Sequence, residues 1–107
     1  MMARKKLPTR RDSITLNVPH KYPGRGEPDI VETTYSNHPE TGELAEVWIN
    51  AINGLAKLVT PDIHASCVIL SKDLQNGDTA EYLSGSLLRG SIQKSVIDAI
   101  IKDRASV

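Results

Sequence analysis

Ile14, Leu16 and Val18 alternate with Ser13, Thr15 and Asn17. This period of two predicts a half-buried strand, and Pro19 is expected to end it. Residues 19–28 carry Pro19, Pro23, Gly24, Gly26 and Pro28 and read as an irregular loop. From near Asp29, the run Ile30, Val31, Thr33, Thr34 and Tyr35 has the β-branched and aromatic content of a second strand. Turn residues from Ser36 to Gly42 lead into a third strand, Leu44 to Asn50. Plain alternation puts Ala45, Val47 and Ile49 on one face of it, and Leu44, Glu46, Trp48 and Asn50 on the other. The short polar turn between the last two strands predicts an antiparallel hairpin.

After Asn53-Gly54 the period lengthens. Thr60 is suited to cap a helix, Pro61 to its first turn and Asp62 to its positive end. Ile63, Cys67, Leu70 and Leu74 recur at spacings of three or four, with Val68 and Ile69 expected to widen the apolar stripe. Gly77 supplies the left-handed stop. Asp78 and Glu81 suggest a capping box for a short helix holding Tyr82, Leu83 and Leu87. Gly90-Ser91 introduces a last helix with Ile92, Val96 and Ile100 on its apolar side. Strands first and helices after indicate an α+β fold: a three-stranded antiparallel sheet followed by about three helices packed on one face.

Charge divides the chain. The first eleven residues hold Arg4, Lys5, Lys6, Arg10 and Arg11 and no acid. The remaining eight basic residues face thirteen acids, so residues 12–107 carry a formal charge of about −5. The neutral total thus conceals a basic arm on an acidic body. Residues 1–12 are expected to be flexible, because Pro8 and crowded like charges disfavour a helix, and residues 13–107 to form one domain. No apolar run approaches the ~18 residues of a membrane span. The basic start lacks the apolar stretch of a secretory signal, and the single cysteine, Cys67, suits a reducing compartment. A cytoplasmic protein with no membrane partner is the expectation.

The segments Arg4-Lys5-Lys6-Leu7-Pro8-Thr9-Arg10-Arg11, Gly42 to Asn50 and Leu74-Gln75-Asn76-Gly77 occur in that order. A final helix with Ser91-Ile92 and Ile97-Asp98-Ala99-Ile100 follows them. Together they resemble the small stand-alone bacterial proteins built on the TSCPD domain, which also ends adenosylcobalamin-dependent (class II) ribonucleotide reductases. The resemblance spans nearly the whole chain and rests on order and spacing. The five-residue motif that names the domain is absent, the loop at residues 19–28 is longer, and His64-Ala65-Ser66-Cys67 replaces an expected arginine, aspartate and two small residues. The resemblance implies a link to deoxyribonucleotide synthesis or nucleotide handling, with a nucleotide, a nucleic acid or a reductase subunit as partner. It does not bring reductase chemistry, which uses a thiyl radical and a separate cysteine pair. One cysteine, mid-stripe on a helix, reads as core packing. An accessory or regulatory role without its own catalysis or cofactor is therefore expected.

Other constellations are weaker. His64 and Cys67 stand three apart, but a zinc site needs three or four ligands. Ser66, His64 and Asp62 are two apart and do not face one another on a helix. Gly24-Arg25-Gly26 lacks the rest of a dinucleotide fingerprint. Glu43 and Glu46 fall on opposite sheet faces. The arm is the best candidate for phosphate or nucleic-acid contact, against the alternative of a solubilising tail, although Tyr22 and Trp48, the stacking candidates, lie outside it. Trp48, the largest side chain, is expected to be buried under the helices. If the Ala45 face is the covered one, Trp48 instead lies outside with Leu44 as a contact for a homodimer.

Overall fold

A computed structural model describes residues 12–21, 26–53 and 61–106. Three strands come first: β1 (Ile14–His20), β2 (Asp29–Asn37) and β3 (Leu44–Asn53). Three helices follow: α1 (Pro61–Gln75), α2 (Ala80–Ser86) and α3 (Ile92–Ala105). The sheet is antiparallel in the order β1-β2-β3, which makes the expected α+β fold. Arg4, Lys5, Lys6, Arg10, Arg11, Tyr22, Gly24, Arg25 and Thr60 lie outside the described residues.

Pro19 does not end β1. It pairs with Ile30, and the strand runs on to His20. An edge strand tolerates a missing N–H where a central one would lose a ladder bond.

β3 departs from plain alternation twice. Ser36 pairs with Glu46 but Asn37 with Leu44, so Ala45 is an extra residue. Thr33 pairs with Ile49 but Glu32 with Ala51, so Asn50 is another. Each bulge reverses the side-chain parity. Leu44 therefore turns inward with Val47, and Ile52 inward with Ile49; all four are buried. Leu44 does not share a face with Trp48, as unbroken alternation suggested, and is 2% exposed. Trp48 stays on the outer face at 39% exposure, so it does not pack under the helices.

The core lies between the inner sheet face and the helices. Val18, Val31, Tyr35 and Ile49 meet Leu70 and Leu74 of α1, Leu83 of α2, and Val96, Ile97 and Ile100 of α3. Burying each large aliphatic chain contributes about 1.5–3 kcal/mol. Tyr35 is buried, and its hydroxyl donates to Asp103 Oδ2 at 2.6 Å. Burial first, and then the bond to Asp103, push its pKa up to about 12.

α1 runs along the free edge of β3. Ser71 Oγ donates to the Val47 carbonyl at 3.1 Å and accepts from the Val47 N–H at 3.1 Å. Cys67, one turn earlier, is hydrogen-bonded to the Ile49 backbone. Two small polar side chains four residues apart thus occupy strand groups that an open edge would offer to another chain. Val68 and Ile69 do not extend the buried stripe; they are 45% and 59% exposed. Gly77 adopts the expected positive φ, 110°. The cap of α2 is Thr79 rather than Asp78: its hydroxyl accepts from the Tyr82 N–H at 3.1 Å. Ser91 caps α3 in the same way, accepting from the Lys94 N–H.

Candidate functional site: a groove over Trp48

The helices cover the inner sheet face, and the outer face carries an open groove of about 1100 Å³. Its floor is Thr34, Ser36, Glu46 and Trp48, on the outward positions of β2 and β3. One wall is the flank of α1, with Val68, Ser71, Lys72 and Gln75. Asp12, Ser13 and Pro39 line it elsewhere.

The α1 wall follows from helical spacing. His64, Val68 and Lys72 are four residues apart and form one row. His64 stacks on Trp48 with ring centroids 4.8 Å apart and planes 13° from parallel. Such an aromatic pair contributes about 0.5–1.5 kcal/mol beyond area burial and fixes the indole in one orientation. Further along the row, Val68 adds an apolar patch and Lys72 an ammonium, about 6 Å apart along the helix axis. The two bulges bracket Glu46 to Ile49, so the segment presenting Trp48 is twisted locally.

The floor is polar and internally bonded. Ser36 donates to Glu46 Oε1 at 3.0 Å. Asn50 Nδ2 donates to Thr34 Oγ1 at 2.7 Å, and Thr34 and Thr15 share a hydroxyl bond of 3.1 Å. Hydroxyls and amides held this way present fixed donors and acceptors to a planar polar ligand.

No protein-family model matches this chain, and no curated protein or solved structure matches it either.

The residues picked from sequence end in different places. Trp48 lines the groove, while Leu44 is buried in the core. The cations of the arm lie outside the described residues, yet Arg11 is joined directly to Asp12, which lines the groove. Cys67 is fully buried, and burial raises its thiol pKa against the opposing hydrogen bonds from the Ile49 backbone and Ser66. That environment is the opposite of the one that makes a thiolate reactive. Among the described residues, no group of three or more His, Cys, Asp or Glu is placed to hold a metal.

Sequence reading missed a second cluster. His20, at the end of β1, pairs across the sheet with Asp29, at the start of β2. His20 Nδ1 and Ser95 Oγ of α3 share a hydrogen bond of 2.7 Å. The residue types match a hydrolytic triad, but His20 and Asp29 are 2% and 1% exposed and lie on the core side of the sheet, away from the groove. The arrangement is a polar clasp between α3 and the sheet. A histidine just before the loop and an aspartate just after it, both at strand ends, were its only signal in the sequence.

Burial lowers the His20 pKa from its ordinary value, with the Asp29 charge acting in the opposite direction. The unfolded chain then binds a proton more readily, so the clasp stabilises fully above pH ~6.5 and weakens as the pH falls toward the folded-state value. In urea titrations across this range, the stability advantage of the wild type over His20→Gln should shrink as the pH is lowered. An advantage that grew on acidification would contradict this sign.

Proposed function

We propose that the chain is a non-catalytic accessory protein of nucleotide handling, of the TSCPD type its sequence resembles, and that it holds a nucleotide in the groove over Trp48. One observation carries this reading: an exposed indole, held flat by His64, sits in a groove with Lys72 on one wall; in sequence, the five cations of residues 4–11 directly precede Asp12, which also lines it. A flat aromatic surface suits a base, and ammonium and guanidinium groups suit phosphates. Polar floor groups suit base edges. The buried thiol and the core-side clasp offer no group for turnover at this surface. Under this reading the chain is cytoplasmic, and its protein partner is a reductase subunit, as the resemblance to the reductase C-terminal domain implies.

The test is a thermal-shift and calorimetric panel of nucleoside mono- and triphosphates at low salt. A ligand at about 100 times its Kd should stabilise the wild type by about 2.7 kcal/mol. Trp48→Ala should remove most of that gain while remaining folded. A panel in which nothing binds, or in which Trp48→Ala binds as tightly as the wild type, would count against the reading.

A further inference from the structure

We infer that the outer edge of β1 is a dimer surface, and that its occupant is a second copy of this chain paired strand to strand. The contact stands whether or not the groove over Trp48 holds a nucleotide. β1 pairs with β2 along one side, and no described element pairs with the other. At the opposite edge of the sheet, Ser71 and Cys67 of α1 occupy backbone groups of β3. The two edges are thus treated differently, and an open one offers its N–H and C=O groups to another strand.

Pro19 fixes which groups point outward. It holds a ladder position opposite Ile30 with no N–H to give, so its nitrogen faces the free edge. The pairing of β1 with β2 runs residue by residue without a bulge. Thr15 and Asn17 therefore turn their N–H and C=O groups the same way as Pro19, and Leu16 and Val18 turn theirs to β2.

The side chains point to a copy of the same strand. Open edges are commonly guarded by charge, yet Ser13 to Pro19 holds no charged residue. A twofold axis sets the same surface against itself, and this run has no charge to repel its copy. On the core face of β1, Val18 is buried, Leu16 half-buried and Ile14 exposed. The apolar row is covered at its end and left open at its start. An axis through Leu16 lays Ile14 of each copy against Val18 of the other and Thr15 against Asn17, apolar to apolar and polar to polar. Thr15 and Asn17 then exchange both ladder bonds, and the Ser13 N–H meets the Pro19 carbonyl. An axis through Thr15 would set the Asp12 carboxylate against Val18. One through Asn17 would set the Thr15 carbonyl against the donorless nitrogen of Pro19. With the axis at Leu16, two three-stranded sheets become one continuous sheet, with both helical layers on one face and both Trp48 grooves on the other.

Sedimentation of the full chain is followed from about 1 μM to about 1 mM, the span of moderate dissociation constants. The mass should double from 11.7 kDa as the concentration rises. Ile14→Lys and Asn17→Lys, both at exposed positions, place like charges beside the axis. Each should weaken the dimer at least about 10-fold and leave the fold intact. Amide exchange of the wild type gives a reading that no substitution disturbs. The Thr15 and Asn17 amides should exchange freely in dilute protein and become protected as the mass doubles, while Leu16 and Val18 stay protected throughout. A chain that remains monomeric at about 1 mM would overturn the inference. So would a dimer dispersed by Trp48→Asp and not by the lysine variants, which would assign the contact to the groove face. A dimer in which Thr15 and Asn17 exchange as fast as in the monomer would equally overturn it.

Discussion

Leu44→Ala is expected to lower the free energy of unfolding by about 2–5 kcal/mol, and Trp48→Ala by only about 1 kcal/mol. The contrast comes from the bulge at Ala45. Without it, two residues an even distance apart on one strand would share a face and a similar cost. With it, Leu44 is 2% exposed in the core, and its truncation leaves a cavity that rigid neighbours cannot fill. Trp48 is 39% exposed and loses chiefly its stack on His64. Urea denaturation of both variants at one pH gives the comparison. Equal losses, or a greater loss at Trp48, would return both residues to a single face.

The second large effect is expected at Ser71. Ser71→Ala removes the hydroxyl that serves both the N–H and the carbonyl of Val47, a residue 1% exposed at the sheet edge. Each buried backbone group left without a partner costs about 1–3 kcal/mol. Ser71→Thr keeps the hydroxyl and should recover much of the loss. The alanine variant should also aggregate more readily, because β3 then offers edge groups to other chains. A Ser71→Ala protein as stable as the wild type, or a threonine variant no better than the alanine one, would mean that the edge is held by packing alone.

Fold class was legible because its signals are local. The alternation from Ser13 to Val18, the β-branched run around Val31 and the three-and-four spacing from Ile63 to Leu74 each name their element without tertiary information. The turns were legible for the same reason, with Gly42, Gly77 and Gly90 at positive φ where turns and helix ends require it. What was not legible depends on partners far along the chain. A bulge is set by how two strands pair, so the inward turn of Leu44 could not be read from β3 alone. Val68 and Ile69 fit the apolar period, but α1 packs along a sheet edge and buries a narrower stripe than a helix lying flat on a sheet. The His20, Asp29 and Ser95 clasp joins residues that only the completed fold brings together.

The candidate site was half legible. Trp48 and the basic segment stood out as separate features, one by rarity and the other by charge. His64 was weighed as a metal ligand or a triad member, and its stacking partner lies on another element. The row His64, Val68, Lys72 was available from spacing, but its meaning depends on the strand it overlooks.

The most direct test of the groove as the ligand site is a two-dimensional amide and indole NMR titration with thymidine triphosphate. The largest shifts are expected at the Trp48 indole and at Thr34, Glu46, Val68 and Lys72, with little change at Val18, Ile97 or the His20 clasp. Shifts centred on the core-side residues, or an indole resonance that does not move while the triphosphate binds, would contradict the placement of the ligand over Trp48.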